Sequence, residues 1–226
     1  MAKPEMFSTD KILLMLCDSV VRVLNTASDS GITYSPMVQK INKTSLSPDL
    51  GCFVLFDGGF SGLVVTNFSG NAAVEIYQNY MIKMGMPKED LAVRHTADDV
   101  GNVMGELMNQ ILGDFIKKVS EQLQTSILQN QPKMLTINKQ VIVSIGASLD
   151  RPQMRKVSFF TQNHNIFYLE FAMDKTEFIK LAEFDIDEEF DPDSIIDNIA
   201  NSYMSSTAVD SSDENDSNAL LDELDI

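Results

Sequence analysis

The chain has no tryptophan, and its 226 residues include only two cysteines and two histidines. Cys17 and Cys52 both lie in apolar patterns, with no CxxC spacing and no Cys/His cluster. That argues against a disulfide framework or a zinc site and predicts two reduced, buried thiols. His95 and His164 are far apart and have no companion ligands, so no metal centre or catalytic triad is expected on them. They read as surface or turn residues. No stretch approaches the roughly 18 consecutive apolar residues of a membrane span. The start, MAKPEMFSTD, has no apolar segment after a basic one, so no secretory signal is expected and the expected location is cytoplasmic. Positive charge is scarce: 17 Lys and Arg face 33 Asp and Glu, for a net charge of −16, and no basic stripe offsets this. Such a chain repels a phosphate backbone, so nucleic acid is not an expected partner.

What is present is an ordinary apolar fraction, 44%, enough for one sizeable core. The acids are concentrated toward the end. Residues 1–173 read as one α+β domain, 174–204 as an acidic extension, 205–218 as a disordered linker rich in Ser, Asp and Asn, and 219–226 as a candidate docking peptide. Within the domain, residues 8–28 open on a Ser/Thr/Asp cap signal. Ile12, Leu13, Leu16, Val20, Val23 and Leu24 then recur at helical spacing. Residues 32–46 read as one extended strand with a break near Pro36. CFVLFDGGFSGLVVTNFS reads as a hairpin whose Gly-rich turn leads into a strand. Turn chemistry therefore explains it better than phosphate binding. A second helix covers 70–85, and a long one runs from Thr96 or Asp98 to about Gln124. KMLTINKQVIVSIG, RKVSFFTQN and NIFYLEFAM are expected strands. The order α-β-β-β-α-α-β-β-β predicts a largely antiparallel sheet with helices packed on one face.

The long helix has two unlike faces. At about 100° per residue, Val100, Val103, Met104, Leu107, Met108, Ile111, Leu112 and Phe115 gather on one side as core. Asn102, Glu106, Asn109 and Gly113 form a straight stripe opposite. Asparagine and glycine weaken a helix by several tenths to about 1 kcal/mol each relative to alanine. The residues alone leave two readings open, a plain solvated face or a smooth polar face made for contact.

GELMNQILG resembles the signature of the CheC/CheX family of chemotaxis phosphatases: Asp or Ser, three residues, Glu, two residues, Asn, then a proline. Glu106 and Asn109 have that spacing, and Pro132 follows Asn109 after 22 intervening residues. Asn102 departs from the family's Asp or Ser. The likeness covers about residues 8–173, and a single motif resembles CheX more than the two-motif CheC proteins. It implies a phosphatase acting on the phospho-aspartate of a CheY-like response regulator in two-component signalling. Asn109 would orient the attacking water and Glu106 would pair with a regulator lysine. Asn102 and Gly113 would make secondary contacts on the same face, and Pro132 would shape its loop. The chain would need no cofactor of its own, since the regulator brings Mg²⁺, and a homodimer is compatible with the family. The alternatives are a non-catalytic regulator-binding adaptor or switch-like scaffold, or a purely structural dimerisation domain.

The closing NALLDELDI resembles the C-terminal docking peptide of CheZ, an unrelated CheY phosphatase. Leu220, Leu221 and Leu224 would be its anchors, unless the segment is only a frayed acidic end. A tethered anchor would raise the local concentration of regulator. Removing 219–226 would then raise KM with little change in the saturated rate.

Overall fold

Ser8 stops the first strand and starts the first helix. In the computed structural model, which describes residues 6–137, 152–176 and 178–179, its hydroxyl accepts from the Lys11 amide. Helix α1 then runs Thr9–Ser28 and ends where Asp29 takes a left-handed conformation, φ 50°. Strand β1, Met6–Phe7, precedes it. The stretch expected as one strand over 32–46 is instead two short ones, β2 (Thr33–Tyr34) and β3 (Gln39–Lys40), with Pro36 between them. Proline has no amide to give the ladder, so pairing breaks there and resumes. β4 (Leu50–Gly58) and β5 (Gly62–Phe68) form the expected hairpin. Helix α2 (Gly70–Lys83) is capped by the Ser69 hydroxyl, and helix α3 spans Asp98–Leu123. β6 (Ile127–Gln129) and β7 (Lys133–Thr136) follow, then β8 (Gln153–Phe160), β9 (Ile166–Met173) and β10 (Phe178–Ile179).

The main sheet has the order β2-β8-β9-β5-β4-β6, with β3 also on β8 and β7 also on β4. Every pairing is antiparallel. β1 and β10 form a separate antiparallel pair. β6 is short and was not apparent in the sequence. It joins the edge of β4 just before the Pro132 loop. Residues 180–226, with the expected linker and the docking anchors Leu220, Leu221 and Leu224, lie outside the described residues, as does the rest of the strand expected beyond Ile137.

The helices pack on one face of this sheet. Leu13, Leu16, Val20 and Leu24 of α1 and Met104, Leu107, Ile111 and Phe115 of α3 are buried with Val54, Phe56, Val64, Phe167 and Phe171 of the strands. Rings stack along the face, Phe68 on Phe167 at 4.8 Å and Phe167 on Phe159 at 5.0 Å. Each such side chain contributes about 1.5–3 kcal/mol on burial. The central strand β5 is also buried on its other face, where Leu63 and Val65 pack with Leu46, Ile137 and Ala172. The β4–β5 turn packs on the chain just before β6. Gly58, at φ +151°, has no room for a Cβ against the Ser126 carbonyl, and the Gly59 amide donates to that oxygen at 3.2 Å. The glycines of DGGFSG therefore permit a close backbone approach.

Both cysteines are buried in this core, as their apolar surroundings imply. Burial pushes each thiol up to about 12, for Cys17 with help from the charge of Asp18.

Candidate functional site

Helix α3 enters the site without a side-chain cap, and its first turn carries Asp98 and Asp99. Acids there complement the positive end of the helix dipole. The apolar side fixes the rotation of the helix. With Val100, Met104, Leu107, Met108 and Ile111 buried, Asn102 and Glu106 are exposed and Asn109 is half-buried at the margin.

These three side chains line one wall of an open cleft of about 630 Å³. The other wall comes from the connection between β6 and β7 and from β7 itself: Gln131, Pro132, Met134 and Thr136. The walls meet at Gly105. A Cβ there would lie 3.4 Å from Cγ of Met134, so the helix backbone and β7 are close to contact. β7 in turn is held by its register with β4, where Cys52 faces Met134 and Gly51 faces Leu135.

The structure thus brings Asn102, Glu106, Asn109 and Pro132 into one cleft. Pro132 is not remote from the helix stripe but faces it. Gly113, the fourth member of the stripe, is exposed one turn further on and lines no part of the cleft. Nothing in the chain lies within 4 Å of a Cβ built at Gly113 or at Gly101. Asp98, Gln131, Met134 and Thr136 also line the cleft, with no sequence motif that marks them. Only the fixed spacing of Pro132 after Asn109 pointed toward that second wall.

The polar groups of the stripe have few commitments inside the chain. Glu106 accepts from Nε2 of Gln110 at 3.2 Å, a neighbour one turn away. Among the described residues, Asn102 and Asn109 have no hydrogen-bond partner for their side chains. No group of three or more His, Cys, Asp or Glu side chains converges among the described residues. The site therefore presents two amides and one carboxylate on a convex ridge beside a groove. An amide donates and accepts at once, and a carboxylate can take a cation.

A second polar centre, unsuspected from sequence, sits nearby on α2. Glu75 is buried, and its carboxylate accepts from Thr161 Oγ1 at 2.6 Å, Asn163 Nδ2 at 2.8 Å and Asn165 Nδ2 at 2.6 Å. It ties α2 to the β8–β9 turn, where His164 takes a left-handed conformation, φ 62°. That histidine is a turn residue, as expected.

Solved structures of chemotaxis proteins share this fold. A CheC-like superfamily protein from Shewanella sp. PV-4 matches at a TM-score of 0.60 and 15% identity, covering 74% of this chain and 99% of that one. The chemotaxis protein CheX from Desulfovibrio desulfuricans matches at 0.59 and 17%, covering 73% and 99%. CheX from Borrelia burgdorferi, solved as a CheX–CheY–BeF₃–Mg²⁺ complex, matches at 0.55 and 13%, covering 72% and 97%. The domain is thus an α+β domain of the CheC/CheX-like fold. By sequence the chain belongs to the family described as Protein of unknown function (DUF3334), whose profile matches residues 3–226. No curated protein matches it.

Proposed function

We propose that this chain is a phosphatase for the phospho-aspartate of a CheY-like response regulator, with Glu106 and Asn109 as its working side chains. The observation that carries this is the placement of both on one solvent-facing stripe of α3, across the cleft from Pro132, with almost no hydrogen bonds to the rest of the chain. Groups left free by the fold are available to a partner. The solved CheX–CheY complex on the same fold supports a regulator as that partner.

In this reading the regulator brings the phosphoryl group and the Mg²⁺, and α3 is the ridge that enters its site. Phosphoryl transfer passes through a loose transition state, so it needs alignment of the water more than removal of its proton. The Asn109 amide holds that water in line through a donor and an acceptor. Glu106 pairs with a regulator lysine and sets the register. Asn102, one turn earlier, lies on the same ridge and contacts the regulator's rim. The C-terminal anchor Leu220, Leu221 and Leu224 keeps the same partner close.

The test is phosphate release from a phosphorylated CheY-like regulator of the same organism with Mg²⁺, comparing wild type with Glu106→Ala and Asn109→Ala. Acceleration by wild type that is lost in both variants is the expected result. No acceleration, with binding to the phosphorylated regulator retained, overturns catalysis and leaves an adaptor.

A further inference from the structure

A second cleft, about 710 Å³, lies beside the first and is separated from it by one turn of chain, with Thr96 lining both. One wall is the α2 face that carries Glu75 and Ile82. The other is formed by Lys88 and the turn Val93–Thr96. That turn is held in place. The Ala97 amide donates to the Arg94 carbonyl at 3.1 Å, and His95 lies against the first turn of α2, where a Cβ on Gly70 would be 2.6 Å from its Nδ1. A side chain at 70 would displace the His95 ring.

The lining carries more basic than acidic groups. Its one carboxylate, Glu75, is already engaged by three donors. Lys88 and Arg94 are exposed, and among the described residues neither makes an ion pair. Beside them Val93 is 76% exposed and Ile82 45%. Cations that no described carboxylate pairs, beside exposed Val93 and Ile82, leave this lining open to an acidic partner.

We infer that this cleft is a second docking surface for the same response regulator, receiving an acidic segment of it through Lys88 and Arg94 while Val93 makes apolar contact. The inference rests on the phosphatase reading above. Its logic is continuity and charge. A site that holds Mg²⁺ does so with carboxylates, so the regulator surface that meets α3 is acidic. Asp98 and Glu106 line the first cleft and repel such a surface, and two local cations beside the ridge offset that and fix orientation.

The experiment measures association of the full chain with a CheY-like regulator of the same organism loaded with beryllofluoride and Mg²⁺, across a range of salt, alongside steady-state phosphate release. Lys88→Glu/Arg94→Glu is expected to slow association by about tenfold at low salt and flatten or invert its salt dependence. KM rises and kcat stays near wild type, since neither residue touches the reacting atoms. Val93→Asp raises KM in the same way. Unchanged association rate and salt slope in the double variant, in a chain that melts like wild type, overturn the inference while leaving Asn109 and its chemistry intact. Failure of the wild-type chain to bind the regulator at all overturns both readings.

Discussion

The two long helices of the domain pack against each other, yet the polar side chains of α1 and the exposed stripe of α3 are used in opposite ways. On α1 they are used inside the chain. Asp10 accepts from Arg155 Nε at 2.8 Å, Asp18 accepts from the Tyr34 hydroxyl at 3.2 Å, and Arg22 pairs with Asp114 across the helix interface. Asn25 closes the helix end, with Oδ1 accepting from the Ile32 amide at 2.6 Å. On α3 the exposed stripe gives almost nothing to the fold. A helix whose polar groups are consumed internally is architecture. A stripe whose carboxylate is engaged only by Gln110 one turn away and whose two amides have no partner among the described residues, next to a groove, is poised for something outside the chain.

The sharpest way to break that contrast is to remove Asn109. Asn109→Ala is expected to lower regulator dephosphorylation by about a hundredfold, the scale of lost positioning, while the melting temperature stays with wild type. A large fall in melting temperature would make Asn109 architecture after all. The opposite pattern is expected at Glu75→Ala, which strands the buried Thr161 hydroxyl and frees the Asn163 and Asn165 amides. It should cost about 1–3 kcal/mol, read as a thermal shift of about 2–4 °C for each kcal/mol, with catalysis on saturating regulator preserved. Smaller still is Gly113→Ala. With open space around the new methyl, unfolding by urea should show a gain of about 0.5–1 kcal/mol. Weaker regulator binding in this more stable variant would show that a partner approaches the helix there, and unchanged binding would confine the contact to Asn102, Glu106 and Asn109.

The last effect, absent at neutral pH, concerns the thiols. Cys17 and Cys52 keep their protons in the folded chain up to about 12, above the ordinary 9.0 they recover on unfolding. A raised folded value stabilises below the unfolded one and is lost as pH rises through the folded one. Stability should therefore decline between about pH 9 and about pH 12. At neutral pH a thiol reagent should label neither residue until the chain unfolds, and labelling of the native chain would contradict their burial.

Much of this was legible in advance because the signals were periodic. α3 appeared within a residue or two of Asp98–Leu123, and the hairpin β4–β5 matched its two β-rich runs and glycine turn. The stripe could be read because a 3.6-residue repeat converts spacing into a face. β6 could not, since three residues carry no period and its place is decided by the edge of β4. Nor could the cleft's second wall. Gln131 and Thr136 have no local pattern, and only the sheet register sets them opposite α3. Glu75 carries no local signal of its role. Its three donors come from a turn 86 to 90 positions away in sequence.

Apart from Leu50, every residue lining the first cleft lies between Thr96 and Thr136. One short, unbroken stretch of gene thus encodes both walls, and the side chains that would meet a partner all point away from the core. Such an arrangement decouples heredity of the scaffold from heredity of the activity. A lineage can gain, lose or retune the chemistry by point changes at a few outward positions, or inherit it whole by exchange of that stretch, while the sheet and the other helices carry on unchanged.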